Sequence, residues 1–192
     1  MMHFACDRLY ARIAFGSDEQ MGDLYERELK GILGGEEKFL SKLTKNLPYE
    51  QRNAYLKLRQ KHFLVVKAAG SFGIDLLAVR GNFAFPIEVK SSAADVFRFS
   101  KSEKLAEQAS RMRLICEHSA LVPTYAYRLK NAEADPWRLF TIESNGASLN
   151  GIQALLFRRL PKVGITQDGN GILKWNDGMK LSTFIDYFSE VI

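Results

Sequence analysis

Three charged residues at the ends of two predicted strands have the types and spacing to do chemistry together. Asp75 opens one apolar strand, and Glu88 and Lys90 close the next. Gly81-Asn82 between the strands is typical of a two-residue hairpin, because glycine adopts positive φ at no steric cost. Side chains alternate along a strand, so Glu88 and Lys90 share one face, and the hairpin register brings Asp75 opposite Glu88. The pattern therefore predicts two carboxylates and an ammonium at one end of an apolar sheet.

This group of charges favours metal-assisted phosphodiester hydrolysis. Close, partly buried carboxylates repel each other unless a cation compensates them, and hard dications such as Mg²⁺ bind through one or two carboxylates, waters and phosphate oxygens. The cation lowers the pKa of water and neutralises charge that develops on phosphorus, and Lys90 would lie over the attacking water or a phosphate oxygen. The alternative is a surface ion pair between Glu88 and Lys90, worth roughly 0–1 kcal/mol.

Three consecutive strands, over 63–68, 74–80 and 83–90, are predicted to carry these residues. Each is rich in Val, Ile, Leu, Phe and Ala, and glycine occurs in the breaks between them. Periodicity and turn residues predict the later elements: a helix over 102–117, strands over 120–129 and 137–143, a helix over 151–160, a strand over 172–175 and a helix over 181–192. The predicted fold class is α/β, a single domain with a mixed central sheet of about five strands flanked by helices.

A helix over residues 17–33 is predicted to pack against this sheet, and a Gly-Gly pair marks its end. Its apolar residues form one broad stripe. Glu26 lies at the edge of the stripe and Glu28 nearer its middle, and the pattern does not decide which of them is functional. In the alternative interpretation both are ordinary helix residues, with Glu26 paired to Lys30 one turn later.

The motifs around these residues resemble a nuclease superfamily. G-I-D at 73–75, a short hairpin and I-E-V-K at 87–90 resemble the PD-(D/E)XK nucleases. A longer series resembles the archaeal-type Holliday junction resolvases: YEREL at 25–29, FLVVKAAGS at 63–71, DLLAVRG at 75–81 and IEVKSS at 87–92. The resemblance continues more loosely through 121–130 and 136–143. It implies a restriction-endonuclease-like fold for the α/β domain.

The resemblance also implies the site and the activity. It assigns catalytic roles to Glu26, Ser71, Asp75, Glu88 and Lys90. The implied cofactor is Mg²⁺, with Mn²⁺ able to substitute, held by Asp75, Glu88 and the Val89 carbonyl. Glu26 would bind the metal through water or complete a second site. The implied activity is hydrolysis of branched DNA, above all four-way junctions, by a homodimer whose two sites are related by a two-fold axis.

Two other functions stay open at this point. A restriction-like or repair nuclease acting on duplex or flapped DNA would share the fold, and a non-catalytic DNA-binding module would keep the sheet without turnover. The four charged residues of the catalytic set are all present, which disfavours the binding module, because a degenerate site normally loses one of them.

Five residues are predicted to contact DNA: Arg27, Lys67, Arg98, Gln108 and Arg111. For Lys67 the prediction comes from the resemblance, in which the first strand ends on a basic residue. The two phenylalanines that flank Arg98 suit a nucleic-acid surface, but they also suit a core or a subunit contact. Gln108 lies on an apolar helix face, where it is either an accessory residue near the phosphate or a hydrogen-bonded structural glutamine.

Composition limits the class of protein. The 192 residues carry 27 basic and 22 acidic side chains, a net charge of +5 that permits a polyanionic partner without requiring one. Cys6 and Cys116 match neither a disulfide framework nor a zinc site, and we expect both as reduced, buried thiols. No membrane span or signal peptide is predicted. We therefore expect a cytoplasmic protein, associated with the nucleoid or acting in a virus-infected host.

Three segments are predicted to decorate the domain: 1–16, 36–62 and 144–171. Residues 36–62 depart from the resemblance, and they favour one or two inserted helices broken near Pro48. Basic residues of this insertion, including Arg52, Lys57 and Arg59, are expected to form a solvated face. The alternative is an arm that contacts DNA.

Overall fold

A computed structural model describes residues 23–68, 73–99, 103–144, 146, 149 and 151–191. The predicted decoration at 1–16, the first turns of the predicted helix 17–33, and Ser71 lie outside these residues. In the described part of the chain, no helix combines the length and hydropathy that a membrane span requires.

Along the described residues three helices come first, four strands follow, and helices and strands are mixed after that. The helices are α1 (23–33), α2 (Glu37–Thr44), α3 (Tyr49–Leu56), α4 (Glu103–His118), α5 (Gly151–Arg159) and α6 (Leu181–Val191). The strands are β1 (Leu64–Lys67), β2 (Leu76–Arg80), β3 (Phe83–Ser92), β4 (Val96–Arg98), β5 (Thr124–Leu129), β6 (Trp137–Thr141), β7 (Gly164–Ile165), β8 (Gly171–Lys174) and β9 (Met179–Lys180). Elements predicted from periodicity are found within a few residues of their predicted bounds.

The central sheet has the strand order β1-β2-β3-β5-β6-β9. Strands β3 and β5 are parallel, with α4 in the crossover between them, and the other neighbouring pairs are antiparallel. The predicted α/β class, with a mixed sheet flanked by helices, is confirmed. The sheet has six strands instead of about five, because the two-residue strand β9 is too short to show a periodic pattern.

One face of the central sheet carries the larger core, where α1, α3 and α6 pack. Phe63, Phe85, Phe184 and Phe188 are buried there. The ring centroids of Phe63 and Phe188 are 5.1 Å apart, and those of Phe85 and Phe184 are 5.4 Å apart. Burial of each ring contributes roughly 1.5–3 kcal/mol. These contacts hold α6, which the apolar spacing predicted, over the β1–β3 half of the sheet.

A second sheet, in the order β4-β8-β7, packs with α4 on the opposite face. It was not predicted, because β4 has three residues and β7 has two. The buried ring of Phe99 packs edge-on against Tyr125 at 5.3 Å, so the core alternative for the phenylalanines beside Arg98 is correct for Phe99. Glu88 and Lys90 point to this same face, since β3 pairs in register with β5 at Glu88 and Tyr125.

The insertion over 36–62 forms α2 and α3, and its basic residues bond within the insertion and to α6. Arg59 pairs with Glu37 at 2.6 Å, and Lys57 pairs with Asp186 of α6. Arg52 donates to the Thr44 carbonyl at 3.2 Å. The insertion was predicted to present its basic residues to solvent, but three of them also bond to other groups of the protein.

The buried carboxylate of Asp135 joins three distant segments. Its Oδ1 accepts hydrogen bonds from the Tyr55 hydroxyl at 2.7 Å and from the Trp137 N–H at 3.2 Å. Its Oδ2 accepts one from the Ser182 N–H at 3.1 Å, at the start of α6. Burial and the Asp135 charge raise the pKa of Tyr55, so its hydroxyl stays a donor. Asp135 thus ties the insertion, β6 and α6 together.

Asp135→Ala is expected to lower the free energy of unfolding by about 2–4 kcal/mol, because it leaves three buried donors without their acceptor. Urea unfolding followed by circular dichroism measures the change. Glu133→Ala, an exposed residue of the same turn, is the control and should shift stability by less than about 0.5 kcal/mol. Equal effects of the two substitutions would contradict the role given to Asp135.

Candidate active site

The hairpin of β2 and β3 brings Asp75 opposite Glu88. Ala78 pairs with Phe85 and Leu76 with Ile87, in the predicted register. One residue before β2, the Asp75 N–H donates to the Ile87 carbonyl at 2.9 Å and keeps Asp75 against β3. The two carboxylates therefore lie on adjacent strands at the same level of the sheet.

The carboxylate of Asp75 is held by the backbone of β3. Its Oδ2 accepts a hydrogen bond from the Val89 N–H at 2.7 Å. In an extended strand the N–H and C=O groups of one residue point to the same side, so the Val89 carbonyl also points towards Asp75. The metal-binding role that the resemblance implies for the Val89 carbonyl stays a prediction.

Glu88 and Lys90 form a buried ion pair. Lys90 Nζ lies 2.6 Å from Glu88 Oε1, and the two side chains are 13% and 6% exposed respectively. The alternative of a surface ion pair does not describe this contact, because both partners are largely removed from solvent. Glu88 Oε2 is also buried, and no hydrogen-bond partner for it is found among the described residues.

The charges at the site are unbalanced. Two carboxylates share one ammonium, and burial raises the pKa of Asp75 to about 7, with the charges of Glu88 and Glu26 acting in the same direction. The Val89 N–H and the Lys90 charge oppose this rise but do not cancel it. One further positive charge, either a proton or a cation, is therefore favoured at this position near neutral pH.

Gly73 sets the position of Asp75 against α4. Its φ is +70°, and a Cβ there would lie 2.5 Å from the Gln108 carbonyl oxygen. A larger residue would force the chain before Asp75 away from the helix. Gln108 itself is half-buried beside this turn. Its backbone contact with Gly73 is a structural contribution that the sequence alone did not indicate.

Glu26, and not Glu28, lies on the side of α1 that faces the site. Glu26 Oε2 is 2.9 Å from Lys67 Nζ at the end of β1, and its charge reaches Asp75. Glu28 bonds instead to Arg128 at 3.1 Å and to the Trp137 indole at 3.2 Å. The alternative pairing of Glu26 with Lys30 is not observed between these described residues.

The residues predicted to contact DNA occupy separate places. Lys67 pairs with Asp23 as well as Glu26. Arg27 and Arg111 each pair with the acid one turn earlier on their own helix, at 3.3 Å and 2.5 Å. Arg98 is exposed on β4. Their contacts with DNA stay predictions, and Ser71 lies outside the described residues.

Tyr125 is a neighbour of the site that the sequence analysis did not single out. It pairs in register with Glu88 and is buried. Burial raises the pKa of Tyr125, and the charges of Glu88 and Asp75 raise it further, so the phenol stays protonated. No local signal could have identified it, because the parallel pairing of β3 with β5 is a contact across the whole α4 crossover.

The donor groups at the site fit a hard dication. They are all oxygens: those of Asp75, the unpartnered Oε2 of Glu88 and the Val89 carbonyl. Among the described residues there is no group of three or more His, Cys, Asp or Glu arranged to hold a metal. Two carboxylates are nonetheless sufficient for Mg²⁺, which keeps several waters and takes substrate oxygens.

The structure is similar to a solved Holliday junction resolvase. That protein is Hjc of the archaeal hyperthermophile Archaeoglobus fulgidus, with 18% sequence identity and a TM-score of 0.45. The match covers 76% of this chain and 96% of that chain. No family model and no curated protein matches the sequence. The functional argument therefore depends on the side chains of the site.

The raised pKa of Asp75 predicts a pH-dependent stability in EDTA. Unfolded Asp75 titrates near 3.8 and folded Asp75 near 7. The folded state binds the extra proton between these values, so this contribution to stability is complete below about pH 4 and is lost as pH rises to about 7. Asp75→Asn has no proton to lose at this position. As pH rises across that range, its free energy of unfolding should therefore increase relative to that of the wild type by on the order of 2–4 kcal/mol.

Urea unfolding at a series of pH values measures this difference. Asp95→Asn, which changes an exposed carboxylate in the turn after β3, is the control and should run parallel to the wild type. Parallel curves for Asp75→Asn and the wild type would show that Asp75 is not held in an unfavourable environment.

Proposed function

We propose that the protein is a metal-dependent endodeoxyribonuclease that resolves four-way DNA junctions by paired phosphodiester hydrolysis. The observation that carries the proposal is the buried group of Asp75, Glu88 and Lys90, in which one carboxylate oxygen has no partner among the described residues. A purely structural ion pair would need neither the second carboxylate nor an unsatisfied oxygen, since each costs folding free energy.

Asp75, Glu88 and the Val89 carbonyl would hold Mg²⁺ or Mn²⁺, and Glu26 would act from α1 through water or at a second site. The bound ion supplies Lewis-acid polarisation of the phosphodiester and a lower pKa for water. Release of Lys67 from Glu26 would free that carboxylate for this role, because the two side chains are paired at 2.9 Å.

Lys90 would stabilise the charge that develops on the phosphate oxygens and orient the attacking water. Its ammonium is held in place by Glu88 Oε1, so little reorganisation is needed when the substrate binds. Tyr125 would add a protonated hydroxyl beside Glu88. The products would carry 5′-phosphate and 3′-hydroxyl ends, as the sequence resemblance implies.

The preference for four-way junctions rests on the sequence motifs that resemble the archaeal-type resolvases. Symmetric cleavage of a junction needs two sites related by a two-fold axis, so the active form would be a homodimer. The protein would act in the cytoplasm on intermediates of DNA recombination and repair.

Cleavage of a synthetic four-way junction, compared with a linear duplex of the same sequence, tests the substrate. In Mg²⁺ the protein should nick the junction in symmetric pairs and leave the duplex intact. Equal cutting of both would favour a restriction-like or repair nuclease. Binding without cutting in either Mg²⁺ or Mn²⁺ would favour a non-catalytic DNA-binding module.

Asp75→Asn and Lys90→Ala test the site. Each should lower the cleavage rate by at least about 10²–10³-fold, because each removes a group that acts on the transition-state charge. Junction binding in EDTA should persist in both variants. Asp95→Asn is the matched control and should cut at the wild-type rate. Near-wild-type cutting by Asp75→Asn would remove Asp75 from the site.

A further inference from the structure

A cleft of about 580 Å³ lies between α1, α2 and the turn that joins β5 to β6. Its floor includes Leu24, Phe39 and Leu43, and the Leu24 side chain is left 47% exposed. At Gly31 a Cβ would lie 2.1 Å from the Phe39 ring, so α1 and α2 touch as closely as glycine allows. The cleft opens beside this contact and exists only because of the 36–62 insertion.

The rim of the cleft carries positive charge that nearby acids do not neutralise. Lys38 and Lys42 are one turn apart on the same face of α2, where like charges destabilise the helix slightly. Among the described residues neither lysine forms an ion pair, and Lys38 contacts only the Phe39 ring, at 5.9 Å. By contrast, Lys57 and Arg59 of the same insertion are both paired.

The inner wall of the cleft is rigid. Arg128 stacks between the rings of Tyr25 at 5.2 Å and Trp137 at 6.0 Å, and it bonds to Glu28 at 3.1 Å. Arg128 therefore neutralises Glu28 and is itself engaged. Glu133 is the remaining acid that lines the cleft. Because the side chains of this wall are already held in place, a ligand that binds to Lys38 and Lys42 loses no affinity to fixing them.

The cleft and the candidate active site share α1. This helix presents Glu26 towards Lys67 and the catalytic acids, and it presents Leu24 and Arg27 to the cleft. The cleft therefore adjoins the helix that carries Glu26.

We propose that this cleft binds the sugar–phosphate backbone of one DNA arm as the arm leaves the active site. The inference rests on the proposed function and adds a binding role for the inserted helix. Lys38 and Lys42 are about 6 Å apart along the helix axis. Successive phosphates of one strand rise ~3.4 Å along a duplex, so the spacing of the two lysines spans about two phosphate steps, and their long side chains can each reach a phosphate of the same strand. The apolar floor contacts the sugars between them.

The salt dependence of junction binding in EDTA tests the proposal. The double variant K38A/K42A should reduce the slope of log affinity against log salt by about 1.5–2, since two phosphate contacts are lost. Affinity in 100 mM salt should fall by roughly tenfold or more. The control K45A/K61A removes two exposed lysines of the same insertion that do not line the cleft, and it should keep the wild-type slope.

Three outcomes separate the claims. A loss of slope confined to K38A/K42A, with an unchanged melting temperature, supports the DNA-arm site. Equal slopes for the wild type and both double variants would overturn it, while junction cutting by the wild type would leave the proposed nuclease function standing. If the wild type itself neither binds nor cuts the junction, the proposed function fails first and the arm site fails with it.

Discussion

The candidate active site is defined by an excess of negative charge at the open end of the β2–β3 hairpin. Two carboxylates are brought together by strand pairing, and a single lysine neutralises only one of them. In the low-dielectric surroundings of the sheet, the remaining negative charge is costly, and the raised pKa of Asp75 expresses that cost. Proteins keep such arrangements where a ligand or a reaction supplies the missing charge.

The rest of the fold positions these groups. The large aromatic core packs strands β1, β2 and β3 against α1, α3 and α6, and α1 in turn carries Glu26. On the opposite face, α4 touches the chain before Asp75 at Gly73, and Tyr125 is paired with Glu88 across β3 and β5. The acids therefore lie where two packed layers meet, which explains why the charged side chain of Glu88 is so deeply buried.

The site could be predicted from the sequence to the extent that it is local. A two-residue turn at Gly81 determines the β2–β3 register, and the alternation of side chains then places Asp75, Glu88 and Lys90 together. The choice between Glu26 and Glu28 could not be made from helix periodicity, because it depends on whether Lys67 or Arg128 lies opposite.

Other features were invisible because they are non-local or too short. In the second sheet only β8 was predicted, because β4 and β7 have three and two residues and carry no periodic signal. The Asp135 network links α3 to α6 across the chain, and a lone aspartate before a proline suggests only a turn. The basic cleft likewise required the packing of α2 on α1 before Lys38 and Lys42 could be seen on one rim.

The most direct measurement of the central claim is anomalous diffraction from crystals of the protein soaked in Mn²⁺. A dication between the two acids should give a peak about 2.1 Å from Glu88 Oε2 and from a carboxylate oxygen of Asp75. Crystals that show no peak there, with Glu88 Oε2 still unpartnered at neutral pH, would contradict the account.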